Sequence, residues 1–146
     1  VYQVRGTLDG LAARLAAQRG ETLDEKLIER GRKAARGRSV QAMIDADIAF
    51  HSAVYAASHN PLIPRSAHLH WAHIRRAMGA SLQAAALRES VWDEHEAIAQ
   101  AIAAGDPERA ERLMREHAER ASEYITRHLD AAAGGSELHI AQGDKP

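Results

Sequence analysis

Apolar residues return every three or four positions along most of this chain, and the stripes they draw are those of amphipathic helices rather than strands. Val1, Val4, Leu8, Leu11, Ala12 and Leu15 give a first helix that ends near Arg19-Gly20. Thr22 is placed to cap a second, running to about Arg36-Gly37, and Ser39 opens a third that reaches Ser58. His59-Asn60-Pro61 breaks that helix, and Asn60 as N-cap with Pro61 behind it starts a fourth, ending near Met78-Gly79. A fifth extends from Leu82 to Ala104, with a bend or restart at Arg88-Glu89-Ser90. The loop Gly105-Asp106-Pro107-Glu108 stops it and caps a sixth that runs to about Leu129. Beyond that, Gly134-Gly135 and the polar residues to Pro146 read as a frayed tail. No alternating pattern, repeat or linker interrupts this series, so the 146 residues predict a single all-α domain.

Four polar residues break the stripes. Asp47 and His51, one turn apart and about 40° apart around the helix axis, project side by side from the face that Ile44, Ile48, Val54 and Tyr55 define. His95 continues the run Leu87, Val91, Ile98, Ile102, and His117 sits among Ala110, Leu113, Ala121 and Tyr124. An unpartnered polar group at such a position is destabilising by roughly 1–3 kcal/mol. Three imidazoles and a carboxylate aimed into one helical interior look like a metal site, although hydrogen-bonded core histidines are the plainer alternative. The donor set suits Zn²⁺, Ni²⁺, Mn²⁺, Fe²⁺ or Co²⁺ better than Ca²⁺ or Mg²⁺, which prefer oxygen shells.

Composition narrows the field. With 19 Lys plus Arg against 20 Asp plus Glu, the formal charge of −1 carries no electrostatic footprint for nucleic acid or for an anionic membrane. The absence of cysteine excludes disulfides, thiolate ligands and a cysteine nucleophile, and fits an intracellular protein. No apolar run approaches the roughly 20 residues of a membrane span. Alanine is plentiful and aromatic residues make up only 4%, so the helices are expected to pack closely, leaving an internal cavity for the larger polar groups to shape. The chain starts at Val1 without an initiator Met, inside what already reads as a helix, which points to a fragment.

The segments Asp47-Ile48-Ala49-Phe50-His51, Ala56-Ala57-Ser58-His59-Asn60-Pro61, Glu94-His95-Glu96-Ala97-Ile98, Ala101-Ile102-Ala103-Ala104-Gly105-Asp106 and Met114-Arg115-Glu116-His117 together carry a resemblance. From Arg5 to about Leu129 the chain resembles the FadR C-terminal (FCD) domain of GntR-type bacterial transcription regulators. The resemblance implies an antiparallel bundle of six or seven helices, here the six-helix form, around a central cavity that holds a metal and a small, often carboxylate, effector. It implies Asp47, His51, His95 and His117 as the metal ligands, and Arg5 as an arginine of the first helix facing the cavity. It further implies a homodimer in the bacterial cytoplasm, with operator DNA bound through an upstream winged helix-turn-helix domain that this chain lacks. On that reading residues 1–130 form the effector-binding and dimerisation domain and 131–146 a flexible tail.

The residues allow a physical reading of Arg5 as well, since it lies at the edge of the stripe made by Val1, Leu8 and Ala12, where a guanidinium fork reaches an interior anion. Arg75 and Arg76 are candidates for outer effector contacts. His68, His70 and His73 cluster around Trp71 in the fourth helix; His70 and His73 share a face suited to metal, effector or an interface, and His73 is retained as a further effector candidate. His128 is explained by the dipole at a helix end, Asn60 by capping, and His139 lies in the tail. A metal-dependent hydrolase is the main alternative function, through a metal-bound water. Glu94 and Glu96 flank His95 without sharing its helical face, so neither presents itself as a general base. A helical dimerisation domain without metal is the third reading.

Overall fold

The computed structural model describes residues 2–81 and 86–137, and within them the chain is helical throughout. Six helices follow in order: α1 Tyr2–Gln18, α2 Lys26–Arg36, α3 Val40–Ala57, α4 Leu62–Ser81, α5 Ala86–Ala103 and α6 Pro107–Glu137. They form an all-α bundle. No helix among the described residues is long and apolar enough to cross a membrane.

Local capping chemistry sets several of the boundaries. The Ser39 hydroxyl accepts from the Ala42 amide at 3.1 Å at the start of α3. Asn60 Oδ1 accepts from the Leu62 amide at 3.1 Å and Asp106 Oδ1 from the Arg109 amide at 3.1 Å, which is the expected capping at the entries to α4 and α6. Gly105, at φ 65°, takes the left-handed conformation that lets the chain turn from α5 into α6.

Three boundaries differ from the sequence reading. α2 begins at Lys26 rather than after Thr22, because a turn from Asp24 to Leu27 intervenes and the Asp24 carboxylate accepts from the Lys26 amide at 3.0 Å. α5 runs without a break from Ala86 through Ser90, so no restart occurs there; the expected start at Leu82 lies outside the described residues. α6 continues past Leu129 to Glu137, taking in Ala131-Ala132-Ala133 and the glycine pair. Alanine has the highest helix propensity and each glycine opposes it by only about 1 kcal/mol, so the run carries the helix on.

Packing is built on small residues. Ala12, Ala13, Ala16 and Ala17 of α1 are buried, and α1 lies along α6 while also touching α3, α4 and α5. A Cβ placed on Gly6 would stand 3.3 Å from the Ala118 methyl, so the two helices approach closely at that point. α2 covers α3 and α5, and there Gly31 lies flat against Trp92: an added Cβ would fall 2.2 Å from the indole. Phe50, Val54, Trp92, Ile98, Ile102 and Met114 supply most of the larger apolar bulk. Between this layer and α1 lies a set of buried polar side chains.

Candidate metal centre

Asp47 and His51 come from α3, His95 from α5 and His117 from α6, and all four are buried at positions where the apolar stripes call for hydrophobes. The structure brings them together as the sequence pattern anticipates, with one donor atom from each within 4.8 Å of the others. His95 Nε2 stands 3.2 Å from His117 Nε2 and 3.5 Å from Asp47 Oδ1, and His51 Nε2 is 3.7 Å from the same oxygen. Donors held roughly 2.0–2.1 Å from a single ion are about 3.0 Å apart at right angles and about 3.4 Å apart at tetrahedral angles. The His95–His117 and His95–Asp47 separations match those values and the His51–Asp47 separation is a little longer, so the cluster could hold a metal.

Outer groups fix which nitrogens face inward. Glu94 of α5 sets one oxygen 2.7 Å from His117 Nδ1, while its other oxygen accepts from Arg120 Nε at 2.7 Å. That contact places the His117 proton on Nδ1 and turns the Nε2 lone pair toward His95 and Asp47. On the opposite side, Asp9 of α1 is fully buried with Oδ2 3.4 Å from His51 Nδ1. Asp9 also accepts from Arg5 Nε at 3.2 Å and from the Tyr55 hydroxyl. His95 has no such carboxylate: its ring stacks on Phe50 at 4.1 Å between centroids and meets the edge of Trp92 at 4.6 Å. Nδ1 of His51 and Nδ1 of His95 make no hydrogen bond among the described residues, so the His95 ring is held chiefly by packing, whereas the His51 ring is also contacted at Nε2 by Arg5 Nη2 at 3.2 Å.

Burial and charge act against each other here. Burial pushes the Asp9 carboxyl up, but His51, Arg5 and the Tyr55 hydroxyl outweigh it and hold the group down at about 2. Asp9 is thus a buried anion. Burial pushes His95 well below the usual imidazole range, and His117, His51 and Arg5 push the same way, which keeps a neutral ring with a free lone pair. Burial raises Glu94 but the hydrogen bonds from His117 and Arg120 bring it below the usual carboxylate value. Burial opposes the charge on Arg5, and Asp9 and Asp47 more than restore it. Tyr55 is driven upward by burial and then by the Asp9 charge, so it remains a donor.

Arg5 stands beside these four side chains. Its Nη2 lies 3.2 Å from His51 Nε2 and 3.8 Å from Asp47 Oδ2, and the guanidinium sits over the Trp71 ring at 5.3 Å. The other effector candidates are not brought to this group. His73, Arg75 and Arg76 are exposed on α4; Arg76 Nη2 donates to His73 Nδ1 at 3.1 Å, and Arg75 Nη1 lies 3.8 Å from Asp45 Oδ1. His68 is exposed and His70 is half-buried. His139 and the side chain of His128 lie outside the described residues.

The sequence reading misses Asp9, and it misses the contact of Glu94 with His117, having weighed Glu94 only as a general base. Asp9 had a usable signal, since it is four residues after Arg5 on the same inward stripe. Glu94 had none, because its partners are on another helix.

The fold and this cluster define an all-helical domain built around a buried set of three imidazoles and one carboxylate. A family model for the FCD domain matches residues 1–120, and the chain belongs to that family, the effector-binding domains of GntR-family regulators. No curated protein matches the chain.

Proposed function

We propose that this chain is the effector-sensing and dimerisation domain of a GntR-type transcription regulator, that Asp47, His51, His95 and His117 hold a divalent transition metal, and that Arg5 helps to bind an anionic effector. The observation that carries this reading is the convergence of four buried donor atoms within 4.8 Å, inside a core packed mainly from alanine, aliphatic and aromatic side chains. The three-nitrogen, one-oxygen set fits Zn²⁺, Ni²⁺, Mn²⁺, Fe²⁺ or Co²⁺. When bound, the ion would supply open coordination positions to a ligand oxygen.

Charge supports an organic acid as effector. The buried groups are one cation, Arg5, against two carboxylates, Asp9 and Asp47. A dication at the site reverses that balance to a single excess positive charge, which one effector carboxylate would cancel. Arg5 has a planar fork suited to such a group, and Trp71 beneath it restricts the plane in which the fork lies. Sensing then requires that effector binding favour one arrangement of the helices over another, and through the dimer one spacing of upstream winged-helix domains on operator DNA. The same reading places the protein in the bacterial cytoplasm. Hydrolysis has less support: Glu94 is occupied by His117 and Arg120, and Glu96 by Arg32.

Elemental analysis of untagged protein purified without chelator tests the core of the proposal. Near-stoichiometric transition metal is expected, followed by saturable binding of small carboxylates that Arg5→Gln weakens. Protein that carries no metal and takes up none of the five ions would overturn it.

A further inference from the structure

We propose that Glu94 is a positioning residue for the metal centre: its carboxylate, fixed by Arg120, holds the His117 ring in the orientation and tautomer that present Nε2 to the ion. The inference rests on the metal reading above. It is carried by a contact between two helices, because Glu94 belongs to α5 and the ring it holds belongs to α6. The two oxygens are divided, one 2.7 Å from His117 Nδ1 and the other 2.7 Å from Arg120 Nε, so the carboxylate is pinned at both ends. A ring so held cannot turn over without losing a hydrogen bond to an ionised acceptor. A full negative charge on Nδ1–H also makes the opposite nitrogen a better donor to a cation. The side chains become more exposed outward along this chain of contacts, from His117 at 6% through Glu94 at 24% to Arg120 at 50%. It therefore ties the buried centre to the surface of α6.

Glu96 is the natural control. It lies on the same helix and next to the ligand His95, but its carboxylate is taken by Arg32 of α2 at 2.5 Å, away from the rings. Outer carboxylates of this kind change metal affinity by about 10- to 100-fold when removed.

The test uses the whole chain, stripped of metal and titrated with Zn²⁺ against a chromophoric chelator. Glu94→Gln is expected to weaken zinc by that factor, Glu94→Asp and Arg120→Gln by less, and Glu96→Gln not at all. In metal-free protein, ¹⁵N-correlated imidazole spectra should show His117 protonated at Nδ1, and a mixture of tautomers in Glu94→Gln. A role confined to folding would leave the tautomer unchanged, so this readout separates the two; Glu94→Asp keeps the assay open should the glutamine variant fold poorly. Wild-type zinc affinity in a folded Glu94→Gln, beside a wild type that binds zinc, overturns the positioning role and leaves the metal reading standing. A wild type that binds no zinc or other transition ion overturns both.

Discussion

The chain holds two groups of three histidines, and they are opposites. His68, His70 and His73 lie within one turn and a half of α4, next to Trp71, and form the denser cluster in the sequence. His51, His95 and His117 are scattered over α3, α5 and α6, one on each helix and at least twenty residues apart in the chain. The scattered set is the one that meets. Its rings pack at 4.7 to 5.6 Å between centroids, with Asp47 among them, and among the described residues it forms the one group of donors with the spacing of a metal site. The dense set is not drawn inward together: His68 and His70, two apart on the helix, point about 200° apart, and although His70 and His73 share a face, it carries His73 out to solvent. His68 and His73 face solvent and His70 is half-buried. Proximity along the chain is thus a weak guide to a shared ligand. Placement on inward stripes of different helices is the stronger one, because packing those stripes together brings their exceptions together.

Removing an inner ligand should produce the largest effect. His51→Ala or His117→Ala is expected to abolish stoichiometric metal while preserving the helical circular dichroism signal. Chelation of the wild type should lower the melting temperature by on the order of 10 °C, if the ion is present at about a thousand times its dissociation constant. Full metal retention in both variants would erase the distinction between the two histidine groups.

The next effect concerns the anion behind the inner set. Asp9 serves Arg5, Tyr55 and His51 at once, and its loss leaves a buried guanidinium short of its nearest partner. Asp9→Asn should destabilise the fold by about 3 kcal/mol, as breaking a buried ion pair does. Tyr55→Phe should lose only about 1 kcal/mol, the worth of one ordinary hydrogen bond. Denaturant titration checks both. Equal midpoints for Asp9→Asn and wild type would mean that Asp47 alone can hold Arg5.

Packing behind the rings can be probed without touching a polar atom. A methyl on Gly31 would need to occupy space 2.2 Å from the Trp92 indole, and that indole meets the edge of His95. Gly31→Ala should destabilise the protein by about 2 kcal/mol through overpacking and weaken metal binding as Trp92 shifts. Should stability fall with metal affinity unchanged, the aromatic wall would support the fold without orienting the ring.

How much of this was legible in the sequence follows the same division. Asp47, His51, His95, His117 and Arg5 were visible as candidates because a polar residue on an apolar stripe is an exception against a regular background. Ser39, Asn60 and Asp106 were visible because a cap bonds to amides two or three residues away. Glu94 was seen only as a neighbour of His95; its contact with His117 could not be found, since His117 and Arg120 lie more than twenty residues on and on another helix. Nor could the wall that Phe50 sets against His95, which exists only once α3 and α5 are packed, whereas Trp92, three residues before His95 on α5, lay within reach. The start of α2 differs because Asp24, two residues before Lys26, accepts from the first amide of the helix in place of Thr22, four residues before it. Asp9 lay within reach, four residues after Arg5, but a lone acid on an alanine-rich stripe reads as surface until its partners are known.

The smallest expected effect is the outer set's. His68 and His73 are exposed, and the His73 side chain accepts a hydrogen bond from Arg76, itself exposed. Replacing both histidines with alanine removes no buried contact and should change stability by less than about 0.5 kcal/mol, with metal content at the wild-type level. His70 sits nearer the core, beside Arg5, Asp9 and Tyr55, so it belongs in a separate variant. Metal loss in His68→Ala/His73→Ala would show that a dense run on one helix recruits an ion, and with it the contrast between the two groups would fail. Retention there, set against loss in His51→Ala, would assign the chemistry to convergence across helices.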